Sequence, residues 1–164
     1  MKKRPTIYIE TSIISYLAAR PSSDLMTAAC QQITTRWWER YRRFYRIVTS
    51  ALVVAESREG DQQMAKKRLD LLKGISTLRT TDQAKKLARA LIQKGALPDK
   101  AQADALHIAI AAAQDVDYLL TWNCRHIDNP ATKPMVREVC LSEGYACPEI
   151  CTPFEIVELC EYEE

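Results

Sequence analysis

Short apolar runs alternate along the chain with longer stretches whose apolar residues recur every three or four positions. The runs Thr6-Ile7-Tyr8-Ile9, Ile47-Val48-Thr49-Ser50, Tyr118-Leu119-Leu120-Thr121 and Glu149-Ile150-Cys151 predict buried strands, and 75–78 is a further candidate. Helical spacing predicts helices over 13–19, 25–46, 51–58, 64–72, 81–93, 101–113 and 133–141. In the second of these, Trp37, Tyr41 and Phe44 fall at i, i+4 and i+7, one apolar face. Gly74 is a natural helix stop after Leu72, and Gly95 with Pro98 ends the helix before it. Asp99 reads as the N-cap of the helix over 101–113, which is rich enough in Ala, Ile and Leu to be buried on more than one face. Thr152-Pro153-Phe154-Glu155 is a capping box with proline at the first helical position.

Strands that alternate with helices imply parallel pairing through crossover helices. The expected fold is therefore α/β: a single layered domain over 1–164 with a central, mostly parallel sheet flanked by helices. There is no internal repeat, low-complexity tract or linker to divide it. Its 47% hydrophobic and 27% charged residues are ordinary for a globular protein of 164 residues. A formal charge of +2 gives no global signal for nucleic acid, so any such argument must be local.

The six cysteines, Cys30, Cys124, Cys140, Cys147, Cys151 and Cys160, contain no C-x-x-C pair, and the two histidines have no zinc spacing. They are expected to be reduced, mostly buried thiols. The basic start, Met1-Lys2-Lys3-Arg4, followed by an apolar stretch, faintly resembles a signal peptide, but Glu10, Thr11 and Ser12 interrupt it. No run of about 18 apolar residues exists to span a membrane. A cytoplasmic protein is expected.

In an open parallel sheet, sites form outside the carboxyl ends of the strands. The first strand delivers Glu10 there. The second leads into a helix whose second turn carries Glu56. The helix over 101–113 carries Asp104 among apolar neighbours, and the strand at 118–121 runs into Trp122-Asn123-Cys124-Arg125-His126. Each acid has an ordinary alternative: Glu10 beside a helix dipole, Glu56 on a solvated helix face. Asp104 needs a partner to be buried at all. Three carboxylates converging on one edge repel one another unless a cation neutralises them, and hard oxygen donors favour Mg²⁺ or Mn²⁺. Such an ion suits phosphodiester hydrolysis.

The segments Tyr8-Ile9-Glu10-Thr11-Ser12-Ile13-Ile14, Val54-Ala55-Glu56, Asp104-Ala105-Leu106-His107-Ile108-Ala109 and Leu120-Thr121-Trp122-Asn123-Cys124-Arg125-His126 resemble, in order, the motifs of PIN-domain proteins. The nearest resemblance is to the VapC-like toxin branch. It implies a Mg²⁺- or Mn²⁺-dependent ribonuclease, with RNA as substrate and a small antitoxin as inhibitor; a homodimer is also expected. Glu10 stands where the family has its first aspartate, Glu56 and Asp104 match the second and third acids, and Asn123 matches the amide-or-acid position. The catalytic set implied is Glu10, Glu56, Asp104 and Asn123. The metal ligands implied are Glu10, Glu56, Asp104 and His126, the last in place of a fourth acid. His126 could equally be a structural or RNA-facing residue.

Two other functions compete. A binding module of the same fold, holding RNA or an antitoxin without efficient cleavage, is compatible with Glu10 and His126. A phosphatase or phosphotransfer domain lacks support, because only four glycines are present and none forms a phosphate-cradling loop. Arg36, Arg40 and Arg43, at i, i+4 and i+7, form either a solvated basic face or a contact for RNA phosphates.

Overall fold

The computed structural model describes residues 3–163, so Met1 and Lys2 of the basic start lie outside the described residues. Five strands form one sheet in the order β3-β2-β1-β4-β5, every neighbouring pair parallel. They are β1 (Thr6–Ile9), β2 (Arg46–Ser50), β3 (Ser76–Leu78), β4 (Tyr118–Leu120) and β5 (Glu149–Cys151). Among the described residues eight α-helices cover the sheet: α1 (Thr11–Ala18), α2 (Leu25–Arg36), α3 (Ala51–Ser57), α4 (Gln62–Leu72), α5 (Asp82–Gln93), α6 (Gln102–Ala113), α7 (Lys133–Ser142) and α8 (Pro153–Glu163). The expected layered α/β architecture is present.

The strands are apolar on both sides because helices cover both faces. Ile7, Tyr8, Ile9, Leu119 and Leu120 are fully buried. Helix α6 is buried along Ala105 and from His107 to Ala112, as its all-round apolar pattern requires, and it packs chiefly on α5. From β1 the chain first builds β2 and β3 on one side, then crosses to β4 and β5 on the other. The switch falls between β1 and β4, and a crevice is expected at their carboxyl ends.

Two local expectations change. The helix over 25–46 is not continuous: α2 ends at Arg36, Trp37–Tyr41 is a π-helical turn, and Arg42–Phe44 a 3₁₀ turn. Widening and then tightening the spiral alters its phase. Trp37 and Tyr41 stay buried, while Phe44 is 44% exposed. Arg46 already belongs to β2. Asp99 is not the N-cap of α6; it opens a 3₁₀ turn, Asp99–Ala101, and Ala101 caps α6 without a side-chain bond. The capping box at α8 does form: Thr152 donates its N–H to Glu155 Oε2 at 2.7 Å, and the Glu155 N–H returns to Thr152 Oγ1 at 3.4 Å. All six cysteines are free thiols, but only Cys140, Cys151 and Cys160 are buried; Cys124 is exposed.

Candidate active site

Glu10 leaves β1 as its N–H bonds to Leu120 O at 3.1 Å, extending the ladder toward β4 by one residue. It is the N-cap of α1 and only 6% exposed. Its Oε2 accepts from Ser12 N at 3.1 Å, Ser12 Oγ at 2.5 Å and Thr121 Oγ1 at 2.9 Å. The helix-terminus role considered for Glu10 therefore holds, together with a bond across the switch point that the terminus alone does not need. Thr121 Oγ1 also accepts the Asn123 N–H at 2.9 Å, and Ser12 Oγ accepts the Trp122 N–H at 2.8 Å. The chain leaving β4 is thus fastened to the chain leaving β1.

Glu56 is brought in by α3, which starts directly at the end of β2 with Ser50 as N-cap. It is not a freely solvated helix position. Thr11 Oγ1 donates to its Oε1 at 2.6 Å, and His107 Nε2 lies 2.7 Å from the same oxygen. Partial burial pushes the Glu56 carboxyl up, but the hydrogen bonds from His107 and Thr11 outweigh this and leave it below its usual value.

Asp104, in the first turn of α6, has both oxygens engaged. Asn123 Nδ2 donates to Oδ1 at 3.0 Å, and His126 Nδ1 lies 2.9 Å from Oδ2. Asn123 Oδ1 accepts the His126 N–H at 3.0 Å, so the amide closes the turn and holds Asp104 at once. Asp104, Asn123 and His126 form one hydrogen-bonded unit. Through Asn123 and Thr121 it connects to Glu10, and through Thr11, the neighbour of Glu10, to Glu56.

Glu10, Asp104, Asn123 and His126 thus share one hydrogen-bonded network at the carboxyl end of the sheet, and Glu56 joins it only through the chain, by way of Thr11 beside Glu10. Among the described residues, however, no three His, Cys, Asp or Glu side chains are grouped so as to hold a metal ion. The chemistry of the donors fits a hard divalent cation: three carboxylates and no thiolate. The hydrogen bonds to Glu10 fall on Oε2 and those to Glu56 on Oε1. Each Asp104 oxygen accepts one bond and retains a second lone pair. The carboxylates have ligating capacity left without being arranged as a finished cage.

The backbone is similar to those of two solved structures. The structure of VapBC2 from Rickettsia felis, bound to a DNA fragment from its promoter, aligns with a TM-score of 0.57, covering 90% of this chain and 98% of that one at 16% identity. The fold is PIN-like. A second PIN-like neighbour, the sarcin-ricin loop cleaving toxin VapC20 from Mycobacterium tuberculosis, aligns with a TM-score of 0.51 at 16% identity, covering 69% of this chain and 86% of that one. No family model and no curated protein matches the chain. At such identity the likeness concerns the PIN-like backbone, and the site rests on the geometry above.

Sequence reasoning did not single out Thr11, Ser12, Thr121 and His107, although all four lie within the motif segments. Hydroxyls beside a carboxylate are the available signal, since each can donate locally. His107 sits one turn from Asp104 on an apolar helix, where a histidine must find partners. The arginines of 36–43 do not form one free face: Arg36 pairs with Glu161, Arg42 lies over Trp38 at 4.3 Å and Arg43 over Phe44 at 5.0 Å. Arg36 and Arg40 do line a groove of about 660 Å³ between α1 and α2, together with Tyr16, Gln31 and Gln32. Tyr16 stands edge-on to Trp122, ring centroids 6.1 Å apart, which places one end of the groove beside the site.

Proposed function

We propose that this chain is a Mg²⁺- or Mn²⁺-dependent endoribonuclease, the toxin of a toxin–antitoxin pair. The observation that carries the reading is that Glu10 and Asp104, joined by hydrogen bonds through Thr121 and Asn123, and Glu56, held by the Thr11 that follows Glu10, are delivered by remote segments to the switch point of a PIN-like sheet. Folding alone gives no reason to bring these acids together.

Glu10, Glu56 and Asp104 are the residues that would hold the ion, with His126 at the fourth position. When bound, the ion supplies a more acidic water and a positive charge for a phosphate oxygen. Asn123 orients Asp104 through its amide, and Ser12 and Thr121 hold the Glu10 carboxylate through Oε2. Glu56, kept ionised by its donors, is fit to accept a proton or a cation. The groove past Tyr16 carries Arg40, two glutamines and Glu39 on its wall besides the Arg36 paired with Glu161; Arg40 and the glutamines suit a single-stranded phosphodiester chain, with Tyr16 available for base stacking. RNA, a small antitoxin and a second copy of the chain are the partners of this reading, in the cytoplasm. Among the described residues no helix is long and apolar enough to cross a membrane.

The second reading, a PIN-fold module that binds RNA or an antitoxin with weak cleavage, draws on His126, which puts an imidazole on Asp104 where an acid is expected. Purified protein with a structured RNA, with Mn²⁺ or Mg²⁺ and with EDTA, separates the two. Cleavage that needs the ion and falls at least about a hundredfold in Glu10→Gln and Asp104→Asn supports the nuclease. RNA binding without cleavage at any metal concentration supports the module.

A further inference from the structure

We infer that His107 is a positioning residue that fixes the site carboxylate of Glu56 through a one-way relay of hydrogen bonds starting at the N-cap of α3. The inference rests on the reading of Glu56 as a site acid. The relay joins β1, α3 and α6, and its direction follows from its two ends.

At one end the Val53 N–H donates to Ser50 Oγ at 3.2 Å, the capping bond of α3. Ser50 Oγ lies 2.8 Å from Tyr8 Oη, and Tyr8 Oη lies 2.7 Å from His107 Nδ1. His107 Nε2 then lies 2.7 Å from Glu56 Oε1. An ionised carboxylate has no proton to give, so Nε2 must be the donor to Glu56. In the neutral ring Nδ1 is then a bare acceptor, which requires the Tyr8 O–H to point at it. Tyr8 Oη in turn accepts from Ser50. Every proton in the chain faces Glu56.

The surroundings keep this direction. His107 is 1% exposed and Tyr8 fully buried, so no solvent competes for their protons. Burial pushes the Tyr8 phenol upward and keeps it a donor. The two rings meet edge to face at 5.9 Å and 65°, which fixes the imidazole plane. Thr11 adds a second donor on Oε1, so His107 and Thr11 pin one oxygen of Glu56 and leave Oε2 to the site. Such support from behind an acidic ligand is worth about 10–100-fold in metal affinity where it has been removed from other sites.

The ring tautomer is the first test. The chain has two histidines, so nitrogen NMR of the labelled protein at about pH 8, above the ordinary imidazole range, resolves His107 once His126→Gln identifies the other. A proton on Nε2 with bare Nδ1 is expected; a proton on Nδ1 overturns the relay. The second test is Mn²⁺ affinity by titration calorimetry, with RNA cleavage alongside. His107→Gln, whose amide nitrogen can replace Nε2 as donor, should stay within about threefold of the wild type, while His107→Leu should bind Mn²⁺ at least about tenfold more weakly. Equal Mn²⁺ affinity in a folded His107→Leu protein overturns the inference. Should that variant not fold, Tyr8→Phe, which removes the proton that sets the tautomer, takes its place: about threefold weaker Mn²⁺ binding supports the relay and unchanged binding overturns it. A wild-type protein that neither binds Mn²⁺ nor cleaves RNA removes the nuclease reading alone, because the tautomer measurement needs neither.

Discussion

His126 Nδ1 lies 2.9 Å from Asp104 Oδ2, while Asn123 holds the other oxygen of the same carboxylate. His126 is thus a direct hydrogen-bond partner of Asp104. Replacing it by aspartate sets two carboxylates against each other. We expect His126→Asp to lower the melting temperature of the metal-free protein by about 2–4 °C, the equivalent of about 1 kcal/mol, and to raise the increment gained on adding Mg²⁺. Thermal unfolding with and without Mg²⁺ reads both. An unchanged Mg²⁺ increment would place His126 outside the metal site.

Asn123 has two tasks that one substitution confounds. Its Oδ1 closes the turn on the His126 N–H, and its Nδ2 holds Asp104. Asn123→Ala removes both bonds and should cost about 1–2 kcal/mol of stability as well as activity. Asn123→Asp keeps the acceptor for the turn but turns the donor into a charge facing Asp104. That variant should lose less stability once Mn²⁺ is present than without it, as chemical denaturation in both conditions would show; equal losses would leave Asn123 a turn residue only.

The Glu56 carboxyl lies below its ordinary value of 4.5, so it contributes stability above pH 4.5 that is lost as pH falls through the lower folded value. Thr11→Ala removes one of the two donors to Oε1 and should weaken that depression. Urea unfolding from pH 7 to pH 3 should therefore show a shallower loss in Thr11→Ala than in the wild type, and a shallower one still in Glu56→Gln. Parallel curves in all three proteins would mean that the Glu56 shift does not feed into folding.

The arginines near the π-helical turn separate into tied and available groups. Arg36 is half-exposed and paired with Glu161, so Arg36→Ala should change stability by less than about 1 kcal/mol. Arg40 lines the groove without stacking on an aromatic ring, and each phosphate contact contributes about 0.7 to the salt slope of single-strand binding. Arg40→Ala should flatten that slope, measured by fluorescence anisotropy of a short RNA between low and moderate salt. No change in slope would place RNA elsewhere.

Periodicity and the short apolar runs determined the strands, the parallel sheet and the buried α6, because burial on two faces leaves a composition that can be read locally. They also pointed to Glu10 and the 122–126 segment beyond strand ends, to Glu56 in the second turn after β2 and to Asp104 near the start of α6. Tertiary structure decided the rest. The break from α2 to a π-helical turn comes where Trp37 and Tyr41 enter the core, a demand no local window contains. Asp99 is displaced as a cap because Pro98 and a 3₁₀ turn lead into α6. Which oxygen of Glu56 is held, and by which nitrogen of His107, depends on residues 51 positions apart meeting at a sheet edge. Sequence places a donor on each element; only the packing of β1, α3 and α6 brings Tyr8, Glu56 and His107 within reach of one another, because hydrogen bonds need about 3 Å and the chain supplies that distance only through the fold.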